Sequence, residues 1–102
     1  PPMAKLIVQE GEDAGLEIEL TARRLILGSS PDNDIVLTDP GVGKAHASLE
    51  DRGDRWILQD LGDPGGTSVN GVPVDGPYRL SEGEIIELVG VRLEIRGIGP
   101  PA

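Results

Sequence analysis

The residues that could carry chemistry are few. A single histidine, His46, stands in a chain of 102 residues without cysteine. Acid–base or nucleophilic catalysis would set that imidazole against a nucleophile or a carboxylate. Ser48, two residues on, shares its face if the segment is a strand, but no Gly-x-Ser-x-Gly elbow exists. His46 therefore reads as a structural residue bonding between loops, and no enzyme is predicted. Asp32-Asn33-Asp34 is crowded with oxygen, yet it lacks the alternating ligands, Gly and terminal Glu of a calcium loop. It reads as a side-chain-capped turn ahead of a strand. Thiolate zinc sites are excluded with cysteine, and neither a metal nor a cofactor is predicted. Gly62-Asp63-Pro64-Gly65-Gly66-Thr67 has the look of a phosphate cradle, but it opens no helix and holds no lysine, which excludes a P-loop. It reads as a flexible, ligand-facing loop in which Gly65 is a candidate for positive φ. Arg52-Gly53-Asp54 spells a cell-adhesion tripeptide and reads as a hairpin tip.

These segments must be positioned by a small aliphatic core. Phe is absent and Trp and Tyr occur once each, so the core falls to 12 Leu, 9 Ile and 8 Val. The length allows one domain. Nine Lys/Arg against 18 Asp/Glu give a net charge of −9. Such a surface repels phosphate backbones and anionic bilayers, so neither nucleic-acid nor direct membrane binding is expected. No apolar run reaches the ~18 residues of a membrane span, and nothing resembles a signal peptide, so a cytoplasmic location is expected.

The hydrophobic period is two. Leu16-Glu17-Ile18-Glu19-Leu20 alternates, which predicts Leu16, Ile18 and Leu20 facing inward. Further strands are predicted at 5–9, 24–27, 35–37, 45–50, 55–61, 67–69, 72–74, 78–80, 84–88 and 91–95. Asn70-Gly71, Asp75-Gly76 and Gly90 are turn signals at short spacing. No window carries a helical stripe. Ten to eleven short strands predict an all-β sandwich of two mainly antiparallel sheets. The Pro-Pro pairs at both ends read as linker, giving a domain over 5–96 flanked by linker residues 1–4 and a Gly/Pro-rich stub at 97–102.

Four segments, in order, carry a resemblance. Leu27-Gly28-Ser29-Ser30-Pro31-Asp32-Asn33-Asp34-Ile35-Val36-Leu37 resembles the opening of a forkhead-associated (FHA) domain. Gly43-Lys44-Ala45-His46-Ala47 resembles its central motif, and Asp60-Leu61-Gly62 with Gly66-Thr67-Ser68-Val69-Asn70-Gly71 its third. Leu80-Ser81-Glu82-Gly83-Glu84-Ile85-Ile86 matches its pre-terminal hairpin. The resemblance implies an eleven-strand sandwich whose loops at one end read phosphothreonine peptides, with Gly28, His46, Asn70 and Gly71 shaping those loops. It extends to divergent members in secretion-system and other membrane-associated scaffolds.

Three departures from the family pattern decide the expected function. Ser29 stands where the family has an arginine that pairs with phosphate. Gly43 replaces the serine whose hydroxyl holds it, next to Lys44. Pro64 and Gly65 replace the threonine and asparagine that hold phosphate and peptide backbone. Losing the Arg and Ser contacts alone removes roughly 2.5–4 kcal/mol, or two to three orders of magnitude in affinity. The expectation is a phospho-independent protein–protein interaction module within a larger protein or assembly. The alternative is weak or altered phosphothreonine recognition through Lys44 and the hydroxyls of Ser29, Ser30 and Thr67. The expected peptide-binding loops thus hold Ser29, Ser30, Gly43, Lys44, Pro64, Gly65 and Thr67.

Overall fold

The computed structural model describes residues 4–53 and 55–99. Eleven strands follow in chain order: β1 (Lys5–Glu10), β2 (Glu17–Glu19), β3 (Arg24–Gly28), β4 (Ile35–Val36), β5 (Ala47–Asp51), β6 (Trp56–Asp60), β7 (Ser68–Val69), β8 (Val72–Pro73), β9 (Tyr78–Arg79), β10 (Ile85–Leu88) and β11 (Val91–Arg96). Among the described residues there is no helix, as the two-residue period requires. A six-stranded sheet runs β2-β1-β11-β10-β7-β8 and a five-stranded sheet runs β4-β3-β5-β6-β9. Among the described residues, only β3 and β4 pair in parallel. The all-β sandwich of two mainly antiparallel sheets is the architecture found.

Alternation places one face of each sheet in the core. Leu6 and Val8 of β1, Ile86 and Leu88 of β10, and Val91, Leu93 and Ile95 of β11 line the six-stranded side. Leu25 and Leu27 of β3, Ala47 and Leu49 of β5, and Trp56 and Leu58 of β6 line the other. Together they form one hydrophobic cluster, aliphatic apart from Trp56. Each fully buried Leu or Ile contributes about 1.5–3 kcal/mol relative to an exposed one.

Several expectations need correction. Leu16 is 51% exposed rather than inward-facing. Its N–H closes a turn onto Asp13 O, so the alternation is read by a strand only from Glu17 to Glu19, with Ile18 partly buried and Leu20 inside. β5 begins at Ala47, because Lys44 and Ala45 turn to bring His46 beneath the loops. Contacts also reach residues on either side of 5–96. Ala4 is buried and its carbonyl accepts from Leu20 N–H, while the Glu82 carboxylate accepts from Gly97 and Ile98 N–H. The Pro-Pro pairs and Asp54 of the Arg52-Gly53-Asp54 turn lie outside the described residues. Within that turn the Asp51 carboxylate accepts from Gly53 N–H at 2.9 Å.

Two hairpin turns use left-handed backbone at both central positions, which matches the twist of the strands they join. Asn70-Gly71 (φ 50 and 83) joins β7 to β8, and the Asn70 side chain accepts from Ile85 N–H at 2.9 Å to anchor the hairpin on β10. Val89-Gly90 (φ 44 and 84) joins β10 to β11. A β-branched residue with positive φ is a genuine outlier, and Val89 sits at the end of the sandwich where the expected binding loops gather.

Candidate functional site

The site begins at a close approach of backbones. A Cβ on Gly28 would lie 2.7 Å from the Lys44 carbonyl carbon, so only glycine lets the end of β3 meet the β4–β5 loop. Ser29 N–H then donates to Gly43 O at 2.9 Å and Ser30 N–H to Lys44 O at 3.3 Å. The Asn33 side-chain amide donates to the same Lys44 carbonyl, and the Asp34 carboxylate accepts from Ile26 N–H at 2.9 Å. The Asp32-Asn33-Asp34 segment thus clamps two loops through its side chains. Among the described residues, no group of three or more His, Asp or Glu could hold a metal ion.

His46 is fully buried and ties the other two loops together. Its Nδ1 accepts from Gly43 N–H at 2.9 Å, and its Nε2–H donates to Gly66 O at 2.7 Å. Those two bonds set the Nε2–H tautomer. Leu61 N–H donates to His46 O at 3.0 Å, so the backbone joins the same loops. His46 thus bridges the loops through both ring nitrogens and its backbone.

Asp63 occupies the space that Gly43 leaves. A Cβ on Gly43 would stand 2.7 Å from the Asp63 Cγ and 3.3 Å from its Cβ, far inside contact distance. The carboxylate is held there by Gly65 N–H at 2.9 Å, and the Asp63 carbonyl accepts from Gly66 N–H at 3.0 Å. Its Oδ2 lies 3.5 Å from His46 Nδ1, and the side chain is only 18% exposed. Since Nδ1 already accepts from Gly43, this approach is packing rather than an ion pair. Val89 treats Gly65 likewise: its Cγ2 sits where a Cβ on Gly65 would be, with Asp63 Oδ2 at 3.0 Å and His46 Cε1 at 3.5 Å from that position. Its Cγ1 would lie 2.7 Å from a Cβ on Gly41. Gly65 itself does not have positive φ; Gly66 does, at 73. The demand for glycine at 65 is therefore steric.

The structure brings Ser29, Ser30, Gly43, Lys44, Pro64 and Gly65 to one end of the sandwich. Thr67 does not join them at the surface. It is 3% exposed, and its hydroxyl donates to the Asp60 carboxylate at 2.6 Å. The exposed Lys44 side chain makes no hydrogen bond or ion pair among the described residues. The backbone N–H groups of Ser29, Ser30, Gly43, Gly65 and Gly66 are all engaged within the loops. What this end offers a ligand is one ammonium, two half-buried serines and a carboxylate seated against Gly43 and His46. Sequence reasoning missed Val89 altogether and did not place Asp63 in the space at Gly43. The available signal was the coincidence of two glycines at side-chain-bearing positions with an Asp nearby and a valine in a turn.

Away from this end, Tyr78 donates its hydroxyl to Glu84 Oε2 at 2.7 Å. That hydrogen bond, then burial, then the Glu84 charge hold the phenol pKa above its ordinary 10.0.

Residues 7–97 match the family model described as the inner membrane component of T3SS, cytoplasmic domain (Yop-YscD). The FHA domain-containing protein FhaB of Mycolicibacterium smegmatis is 35% identical over 92 residues, covering 82% of this chain and 59% of that protein. The chain spans about three-fifths of the length of the curated relatives it matches. A chain solved in a structural and functional analysis of phosphothreonine-dependent FHA domain interactions superposes with a TM-score of 0.85, at 27% identity, over 97% of this chain and 99% of that one. Mycobacterium tuberculosis EmbR, solved in complex with a low-affinity phosphopeptide, superposes with a TM-score of 0.87 at 25% identity, over 99% of this chain and 26% of that one.

Proposed function

The chain belongs to the forkhead-associated family, and we propose that it is a protein–protein interaction module whose loop end works without phosphothreonine. The observation that carries this reading is the Asp63 carboxylate in the space beside Gly43. Phosphothreonine brings about −2 charge and three acceptor oxygens. At an effective dielectric of 20, a carboxylate ~5 Å away opposes each unit of that charge by roughly 3 kcal/mol. The family's phosphate contacts are replaced at 29, 43 and 65, and the backbone N–H groups are already used by the loops themselves. Relatives whose names or solved complexes involve phosphopeptides supply the contrast. The family model, drawn from the cytoplasmic part of a membrane-anchored machine, supports a place within a larger protein or assembly on the cytoplasmic side, with a protein or peptide as partner.

A second reading has one observation in its favour. Lys44 is exposed without an ion-pair partner among the described residues, and Ser29 is bonded to the adjacent Gly43. An ammonium and a hydroxyl on adjoining loops are the minimum for a weak phosphate contact, although Lys lacks the planar fork of Arg. Titrating the 102-residue chain with a degenerate phosphothreonine library and its unphosphorylated counterpart separates the two readings. No preference for phosphorylated members is expected. Selective binding of those members, weakened by Lys44→Ala, would establish the second reading instead.

A further inference from the structure

An interaction module has further surfaces besides its loop end. Edge-strand addition is poorly served. The four edge strands β2, β8, β4 and β9 are two or three residues long, and β8 ends in Pro73. Edges that short offer few unpaired backbone groups to a partner strand. The outer face of the six-stranded sheet is spoken for by its own charges. Lys5 pairs with Glu17 at 2.8 Å, Arg96 with Glu94 at 2.8 Å, and Arg92 lies 3.8 Å from both Glu10 and Glu87.

The outer face of the five-stranded sheet differs. Register places Arg24 opposite Glu50, Glu50 opposite Ile57 and Ile57 opposite Arg79, so one row crosses β3, β5, β6 and β9. Arg24 and Arg79 are exposed and make no ion pair among the described residues. Glu50, the carboxylate in the row, is taken up by Arg52 at 2.5 Å. Two adjoining grooves of about 330 and 180 Å³ run along this face; they share Arg52 and Ile57, and Arg55 and Pro77 line the larger. In a chain of net charge −9, this is a local concentration of guanidinium around an apolar centre.

We propose that this face is the docking surface for an extended, carboxylate-rich segment of a partner protein. Three strand spacings separate Arg24 from Arg79, or about 14 Å between their backbones, and an extended segment covers that in about four residues. The chemistry that fits is two carboxylates four positions apart, one for each arginine, with an apolar side chain midway against Ile57. All three then project from the same side of the segment, because side chains alternate along extended backbone. Charge complementarity commits the occupant. A second copy would bring its own net charge of −9 and an anionic bilayer its whole charged surface, whereas a short segment brings two carboxylates that both meet arginines. The assignment rests on the interaction-module reading but not on the state of the loop end.

The test is a labelled peptide with two glutamates four positions apart and a valine midway, in a Gly/Ala background, titrated into the 102-residue chain at low salt. Saturable binding is expected, weakening as sodium chloride is raised. The pair Arg24→Glu with Arg79→Glu should lower affinity about tenfold, since two exposed ion pairs are lost. Arg24→Gln with Arg79→Gln should act in the same direction by less. Absence of saturable binding overturns the proposal, as does an Arg24→Glu/Arg79→Glu variant that binds as the parent does. Self-association lost in that variant, or preferential binding of vesicles containing phosphatidylserine, overturns it by assigning another occupant. A phosphothreonine peptide whose binding depends on Lys44 and not on these arginines would refute the preceding reading alone.

Discussion

The fit of Asp63 into the space beside Gly43 can be tested as a coupling energy. Gly43→Ser places a Cβ 2.7 Å from the Asp63 Cγ, so the carboxylate must leave its seat or the loop must move. Forcing a side chain into a filled site typically costs about 1–3 kcal/mol. Asp63→Ser on its own gives up the acceptor for Gly65 N–H and leaves a small void, for about 0.5–1.5 kcal/mol. Combined, the two serines no longer compete for one volume, and the double variant should be less destabilised than the sum of the singles by at least ~1 kcal/mol. Urea unfolding followed through Trp56, which is buried in the core, reads each term. In a domain of this size ~1 kcal/mol moves Tm by roughly 4–8 °C, well within measurement. Adding Ser29→Arg, Gly65→Asn and Val89→Gly to this pair should then produce measurable phosphothreonine affinity. The triple change Ser29→Arg, Gly43→Ser, Gly65→Asn without Asp63 and Val89 relieved should not, because Asp63 and Val89 fill the positions it needs. Additivity of 43 and 63 within ~0.5 kcal/mol, or phosphopeptide binding by the triple variant equal to that of the five-fold one, would refute the reasoning.

Three further outcomes follow from the same geometry. His46→Ala should cost about 2–4 kcal/mol in urea unfolding, since it leaves Gly43 N–H and Gly66 O unpaired beside a cavity; a loss below ~1 kcal/mol would mean the loops do not depend on it. Val89→Asn should raise stability by about 0.5–1 kcal/mol, because Asn tolerates left-handed backbone better than a β-branched residue and the valine is partly exposed. A loss of stability would show that its packing on Gly41 and Gly65 outweighs the strain. Tyr78 has its pKa raised in the fold, so the stability it contributes is complete below pH 10 and lost as pH rises through the folded value. Tyr78→Phe should lower stability at neutral pH by about 1 kcal/mol and flatten the alkaline limb of stability against pH, measured in urea between pH 8 and 11.

The fold was legible because alternation is a local signal. Strands such as β1, β10 and β11 bury every second residue over four to six positions, and turn residues bracket them. Leu16 was misread because alternation alone cannot say where an edge strand gives way to a turn. The candidate site was legible only in part. Departures at 29, 43, 64 and 65 are visible as residue types, but the fillers are distant in sequence or act through conformation. Val89 lies 24 positions from Gly65 and reaches it only once β10 and β11 are paired. Thr67 was placed at the surface because a hydroxyl in a loop motif suggests a ligand contact. The structure turns it toward Asp60, seven residues back, where it fastens the loop instead.

The two filled positions bear on what kind of change this loop end represents. Removing side chains from a binding site without adjustment would leave voids and free donors, and a phosphate could still enter among them at reduced affinity. Here the volume at Gly43 is taken by a carboxylate and the volume at Gly65 by a methyl group, while five backbone N–H groups around them are satisfied internally. A ligand entering this end would have to displace Asp63 from its hydrogen bond, desolvate beside a like charge, and find donors that are already engaged. Each of those costs opposes an anion more than a neutral or cationic group. The remaining free cation, Lys44, sits on the outer surface of the loops, where an ion pair is worth no more than about 1 kcal/mol. Two such pairs, spaced across the rigid sheet by Arg24 and Arg79, exceed it and carry geometric register besides. The balance of electrostatics therefore favours the sheet face over the loop end as the place where this acidic domain attracts a partner.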